Sequence, residues 1–152
     1  MKDVVIVSAC RTAIGTFGGA LRDFGPEKMA CITMKEAIKR AGIEPGIIDD
    51  VRFGCCVEPI DALNIARVSA IMAGIPEHVP AVTINRVCIS AMDAVISGMA
   101  MIQADMADII LAGGVEQMSG IPFIAPRARL GDAPGRRCPG GRPDSRPVLR
   151  VV

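Results

Sequence analysis

The sequence predicts an α/β fold, a parallel sheet with helices on its faces. Three observations predict it. Short β-branched runs alternate with amphipathic segments in the order β-α-β-α-β-α-β. The connections between them are short and carry Gly and Pro. The strand runs are apolar nearly throughout, as strands covered on both faces are. Right-handed crossovers are expected of this order, and no short internal repeat competes with it.

The first strand is expected at Asp3–Ala9, a run of Val, Ile and Ala with one Ser. Arg11–Gly25 holds four glycines and reads as a loop. Pro26 and Glu27 then open a helix, since Pro suits the first turn and an acid suits the positive end of the dipole. Ala30, Met34, Ala37, Ile38 and Ala41 form its apolar face, and Gly42 ends it. A second strand follows at Asp50–Val57. Asp61 is the expected cap of a second helix, with Ile65, Val68 and Met72 inward and a stop at Gly74-Ile75-Pro76. Ala81–Arg86 reads as a third strand. Ile89–Ala104 reads as a third helix, apolar almost all round and so expected to be buried. Asp108–Ala112 is the fourth strand, broken by Gly113-Gly114.

The composition bounds the class. Apolar residues make up 51% of 152, and 16 glycines raise that tally to roughly 62%, against ~45–50% for an ordinary domain. No apolar run reaches the ~18–20 residues of a membrane span. The Met1-Lys2-Asp3 start predicts no secretory leader. A cytoplasmic protein is expected, its apolar excess covered by a partner or by further sequence. Six cysteines form no C-x-x-C pair and there is one His, so no metal site is expected and the thiols are expected to be free.

From residue 132 the character changes. Residues 132–152 contain five Arg, no Lys, two Asp, four Pro and three Gly, and show no periodicity. Such a stretch predicts a disordered basic tail. Loss of the coding frame near Leu130 would explain the shift, and a basic linker is the alternative. The remaining 131 residues carry 12 Lys and Arg against 14 Asp and Glu. A nucleic-acid-binding module is a poor fit, because the tail has no aromatic residue to stack on bases.

Cys88 is the candidate nucleophile. It lies in Asn85-Arg86-Val87-Cys88-Ile89-Ser90-Ala91, between a strand and a helix. Unsatisfied N–H groups at a helix start favour the thiolate, the reactive form. Parallel sheets also place ligands at the carboxyl ends of their strands. The plainer alternative is a small buried side chain, a common fate of free Cys. A reactive Cys needs a base or cationic partner. His78, between Pro76 and Pro80, reads as a surface-loop residue and not as that partner. Cys10, Cys31, Cys55 and Cys56 read as core residues of strands and helix. Met92, Met99 and Met101 read as core or interface packing. Arg11 and Glu116 read as solvated charges outside the site.

Three blocks resemble the thiolase family. Val7-Ser8-Ala9-Cys10-Arg11-Thr12-Ala13-Ile14-Gly15-Thr16-Phe17-Gly18-Gly19 resembles its opening strand and loop. Asn85-Arg86-Val87-Cys88 with Ser90 resembles its nucleophile motif, and Ala112-Gly113-Gly114-Val115-Glu116-Gln117-Met118-Ser119 its glycine-rich strand end. The blocks stand in the family's order over residues 2–131, so residues 1–131 are expected to be a partial N-terminal domain.

The resemblance implies the first βαβαβαβ half of a five-layered αβαβα fold. It implies acyl transfer: Claisen condensation of two acyl-CoA molecules, or thiolytic cleavage of 3-ketoacyl-CoA, through an acyl thioester on Cys88. It implies CoA thioesters as substrates, no further cofactor or metal, a role in fatty acid metabolism, and a homodimer or homotetramer. It also implies a His and a second Cys from a C-terminal half. Cys138-Pro139-Gly140-Gly141 superficially resembles the second-Cys motif but falls too early, inside the tail. Ile89 stands where Gly is frequent and Ala13 where Pro is; both bear on the acyl pocket, and neither excludes catalysis. Two alternatives stay open: a truncated, inactive thiolase fragment, and a related condensing enzyme acting on carrier-bound acyl groups. The three blocks fit thiolases better than the latter.

Overall fold

A computed structural model describes residues 2–124. The expected disordered tail at 132–152 and the Cys138 motif lie outside the described residues. All regular elements fall in one compact unit that ends at Gly120. In order they are α1 (Pro26–Ala41), β1 (Asp50–Gly54), α2 (Ile65–Ala73), β2 (Ala81–Ile84), α3 (Ser90–Gln103) and β3 (Ile110–Gly114).

The parallel sheet is as expected, in the order β2-β1-β3, with β1 central. Strand alternation splits it into two faces. Val51 and Phe53 of β1 pack with Ala30, Met34 and Ile38 of α1 and Ala66 and Ala70 of α2. Arg52 faces the other way and donates from Nε to Ser97 Oγ of α3 at 2.9 Å. Helices α1 and α2 thus cover one face and α3 the other.

Helix α1 begins and ends where its signals stand. Pro26 opens it, and Gly42 closes it at φ 67°, the left-handed cap that glycine adopts without cost. Its buried residues are Met29, Ala30, Cys31, Met34 and Ile38. Helix α2 starts later than expected. Asp61 sits in a 3-10 turn, and the cap is Asn64, whose Oδ1 accepts from Arg67 N at 3.1 Å. The shift moves the buried stripe onto Ile65, Ala66, Ser69, Ala70 and Ala73, leaving Val68 half-buried and Met72 exposed. β1, β2 and α3 are each trimmed, β1 stopping at Gly54 and β2 at Ile84, while β3 is shifted by two residues and runs from Ile110 through both glycines.

Two larger expectations fail. Asp3–Ala9 forms no strand, and Val5, Ile6 and Val7 are exposed. A strand needs a neighbour, and none of the described residues pairs with this segment. It lies instead along α1: Ser8 Oγ donates to Ala37 O at 2.7 Å, Cys10 Sγ to Thr33 O, and Arg40 Nη1 to Ala9 O. Helix α3 is not buried all round. Ser90, Ala94 and Gly98 face the sheet, while Met92, Val95, Ile96 and Met99 are exposed. The described residues supply only the sheet side of its packing.

Asp49 fixes where β3 begins. Its carboxylate accepts from Ile109 N at 2.9 Å and Asp108 N at 2.7 Å. These two donors, Ile109 first, hold its pKa below the ordinary carboxylate value. A depressed carboxyl stabilises the fold above the unfolded pKa of ~4 and stops doing so as pH falls through the folded value. Asp49→Asn should therefore lower the melting temperature at pH 6, and the gap from wild type should close as pH falls below about 4. A gap that stays constant over that range would refute the assignment.

Candidate active site

The residue expected to be the nucleophile lies four residues past β2, at the carboxyl end of the sheet. Cys88 is exposed, not buried. Ile89 is the N-cap position of α3, so the thiol stands one residue before the cap. The chain reverses sharply here. Val87 has φ 53°, in the left-handed region that a β-branched residue normally avoids. Arg86 and Cys88 form an isolated bridge across it.

Side chains line both flanks of the turn. Asn85 Oδ1 accepts from Val87 N at 3.1 Å, and its Nδ2 donates to Cys56 O at 2.8 Å. Ser90, only 4% exposed, accepts from Arg86 N at 2.8 Å and donates to Val87 O at 2.5 Å. Arg86 reaches forward to Asp93 Oδ1 at 3.1 Å.

The loop after β1 is fastened by Glu116. Its carboxylate accepts from Cys56 N at 2.7 Å and Val57 N at 3.3 Å. Glu116 was expected to be a solvated charge outside the site; it is exposed, as expected, but it also anchors the loop that Asn85 grips. The signal was its place two residues after the Gly-Gly strand end, but its partners are backbone groups some 60 residues away, which no side-chain pattern announces.

Glycines set how closely α3 approaches the sheet. A Cβ on Gly54 would lie 2.5 Å from Ala91 N and Ser90 C. One on Gly114 would meet Ala91 Cβ at 2.6 Å, whereas one on Gly113, on the opposite face, would meet the Phe53 ring. The structural role expected of Gly113 and Gly114 is borne out as close approach. Gly54 escaped the sequence reading.

Of the other cysteines, Cys31 and Cys55 are buried as expected, while Cys10 and Cys56 are half-buried and outside any strand. Burial, with Glu116 nearby, pushes the Cys55 thiol up to about 12, so it stays a neutral thiol. His78 is exposed and its Nε2 lies 3.4 Å from Gly46 O. It precedes β2, whereas Cys88 follows it, so about 13 Å of strand separates the two ends. The structure does not bring them together.

A parallel sheet flanked by helices, with an exposed cysteine on a turn from strand to helix, places the chain among α/β proteins. Comparison with known proteins narrows it. The thiolase N-terminal domain model matches residues 4–136, and the chain belongs to that family. An acetyl-CoA acetyltransferase of Syntrophomonas wolfei is 52% identical over 130 residues, covering 86% of this chain and 33% of the relative. One from Cupriavidus necator is 43% identical, covering 88% and 35%. The crystal structure of the Bacillus anthracis acetyl-CoA acetyltransferase superposes with a TM-score of 0.81 at 40% identity, covering 91% of this chain and 34% of that one. The chain spans about a third of the length of these relatives. No helix among the described residues is long and apolar enough to cross a membrane.

Proposed function

We propose that this chain carries the acyl-accepting cysteine of a thiolase-type acyltransferase. The Cys88 thiolate attacks the carbonyl carbon of an acyl-CoA, acetyl-CoA first of all. A new C–S bond forms on Cys88, the bond to the CoA sulfur breaks, and CoA leaves as a thiolate that takes up a proton. In condensation the α-carbon of a second acyl-CoA, having lost a proton to a base from outside the described residues, attacks that acyl carbon; a C–C bond forms, the C–S bond to Cys88 breaks and the thiolate is regenerated. In reverse, thiolysis of a 3-ketoacyl-CoA leaves the same acyl-cysteine. The observation that carries this reading is the exposed thiol on a built turn at the carboxyl end of the sheet. The base and second cysteine implied by the family would come from sequence beyond the described residues. A homo-oligomer, a cytoplasmic setting, a place in fatty acid metabolism and CoA thioesters without further cofactor belong to the same proposal.

A second reading is favoured by the remoteness of His78: a chain of thiolase descent without turnover of its own. One experiment addresses both. The chain is incubated with acetyl-CoA, and its cysteine peptides and released CoA are quantified, with iodoacetamide labelling in parallel. Acetyl should appear on Cys88 as a hydroxylamine-labile thioester, matched by free CoA, and Cys55 should take neither reagent. Acetyl on Cys88 without ketoacyl product would favour the second reading. Iodoacetamide labelling without any acetylation would leave Cys88 an ordinary thiol and sink the proposal.

A further inference from the structure

We infer that Asn85 and Ser90 are positioning residues for Cys88, clamping Val87 between them in the left-handed conformation that presents the thiol; this rests on the reading of Cys88 as nucleophile. Val87 is one of only two non-glycine residues with positive φ among the described residues. Left-handed backbone is poorly tolerated by β-branched side chains and persists only when its surroundings over-determine it.

Here two side chains do so. Both backbone polar groups of Val87 are engaged: its N–H donates to Asn85 Oδ1, and its carbonyl accepts from Ser90 Oγ and also from Ser90 N at 3.1 Å. The same Ser90 hydroxyl accepts from Arg86 N. A serine serving only the helix would accept from an N–H of its own first turn. Ser90 instead reaches backward, and its burial shields these bonds from water. Asn85 is braced in turn through Cys56 O and the Glu116 carboxylate to the carboxyl ends of β1 and β3. The clamp is therefore tied to the sheet on one side and to α3 on the other, with Cys88 immediately after the gripped residue.

The test is the rate of Cys88 alkylation by iodoacetamide, read by peptide mass spectrometry across pH 6–10, with thermal unfolding in parallel. Ser90→Ala and Asn85→Ala should each slow alkylation about fivefold, the factor for one hydrogen bond of about 1 kcal/mol. Ser90→Thr, which keeps the hydroxyl, should retain the wild-type rate. Adding Val87→Gly to Ser90→Ala should restore the rate, because glycine holds φ 53° unaided. A merely structural role for Ser90 would lower the melting temperature without this rescue. Rates unchanged or raised in both alanine variants, or no rescue by Val87→Gly, would overturn the clamp. If Ser90→Ala does not fold, the double variant decides: folding restored by Val87→Gly supports the clamp, and failure of both overturns it. Wild-type Cys88 reacting no faster than a small free thiol would defeat the nucleophile reading instead, since the clamp is judged from ratios between variants.

Discussion

Gly54→Ala should destabilise the fold by about 1–3 kcal/mol and slow Cys88 labelling, although it adds only one methyl group. The new Cβ would stand 2.5 Å from Ala91 N and Ser90 C. Those are backbone atoms in the first turn of α3, so no side-chain rotation relieves the clash. Either the end of β1 bends or the start of α3 rises off the sheet. Both responses reach the turn at Val87: β1 leads into the Cys56 loop that Asn85 grips, and α3 begins with the Ser90 hydroxyl. The control is Gly46→Ala, where the nearest atom to a new Cβ is Pro76 Cγ at 3.8 Å. Denaturant unfolding and iodoacetamide kinetics measure both variants. If Gly54→Ala matched Gly46→Ala in stability and in Cys88 rate, the close approach of α3 to the sheet would not be what positions the thiol.

The sequence speaks most clearly where one local signal suffices. Helix α1 was legible because Pro26, a single apolar stripe and Gly42 agree, and each acts within a few residues. Cys88 was legible as a strand-to-helix thiol for the same reason. Several features that depend on distant partners were not. Asp3–Ala9 has the composition of a buried strand, but a strand exists only beside another one, and composition names no neighbour. Helix α3 reads as buried all round because Met92, Val95, Ile96 and Met99 lie opposite Ala94 and Gly98. The pattern says that both sides are to be covered, and the described residues cover one. Val5, Ile6 and Val7, with that face of α3, are part of the apolar excess. The local cap of α2 was missed because Asp61 and Asn64 are both good caps, and the choice was made by tertiary bonds. Asn64 Nδ2 also donates to Ala81 O, and Oδ1 also accepts from Thr83 Oγ, both on β2. The same limit hid Glu116 and Gly54, whose partners are backbone atoms of other elements.

Arg52→Met should cost about 3–5 kcal/mol, the largest effect expected of any single substitution here. Arg52 Nη1 lies 3.0 Å from Asp50 Oδ2, and the Asp50 side chain is only 10% exposed. The other carboxylate oxygen, Oδ1, is buried without a hydrogen-bond partner. Asp50 therefore depends on the guanidinium for its compensation, and removing Arg52 leaves a buried carboxyl with none. The same side chain ties the central strand to α3 through Ser97 Oγ. Methionine fills much of the space, so the loss would come from the stranded acid and not from a cavity. That distinction has a direct consequence. Asp50→Val combined with Arg52→Met should recover most of the lost stability, because replacing both members of a buried pair by apolar groups is often nearly neutral. A double-mutant cycle by denaturant unfolding measures the coupling, and strong non-additivity is expected of two residues in contact. Simple addition of the two single-variant losses would mean that each residue acts alone, Arg52 through α3 and Asp50 through the sheet. A cost below about 1 kcal/mol for Arg52→Met would place the pair in the class of exposed ion pairs, which contribute little, and would mean that water reaches Asp50 from the unpaired side.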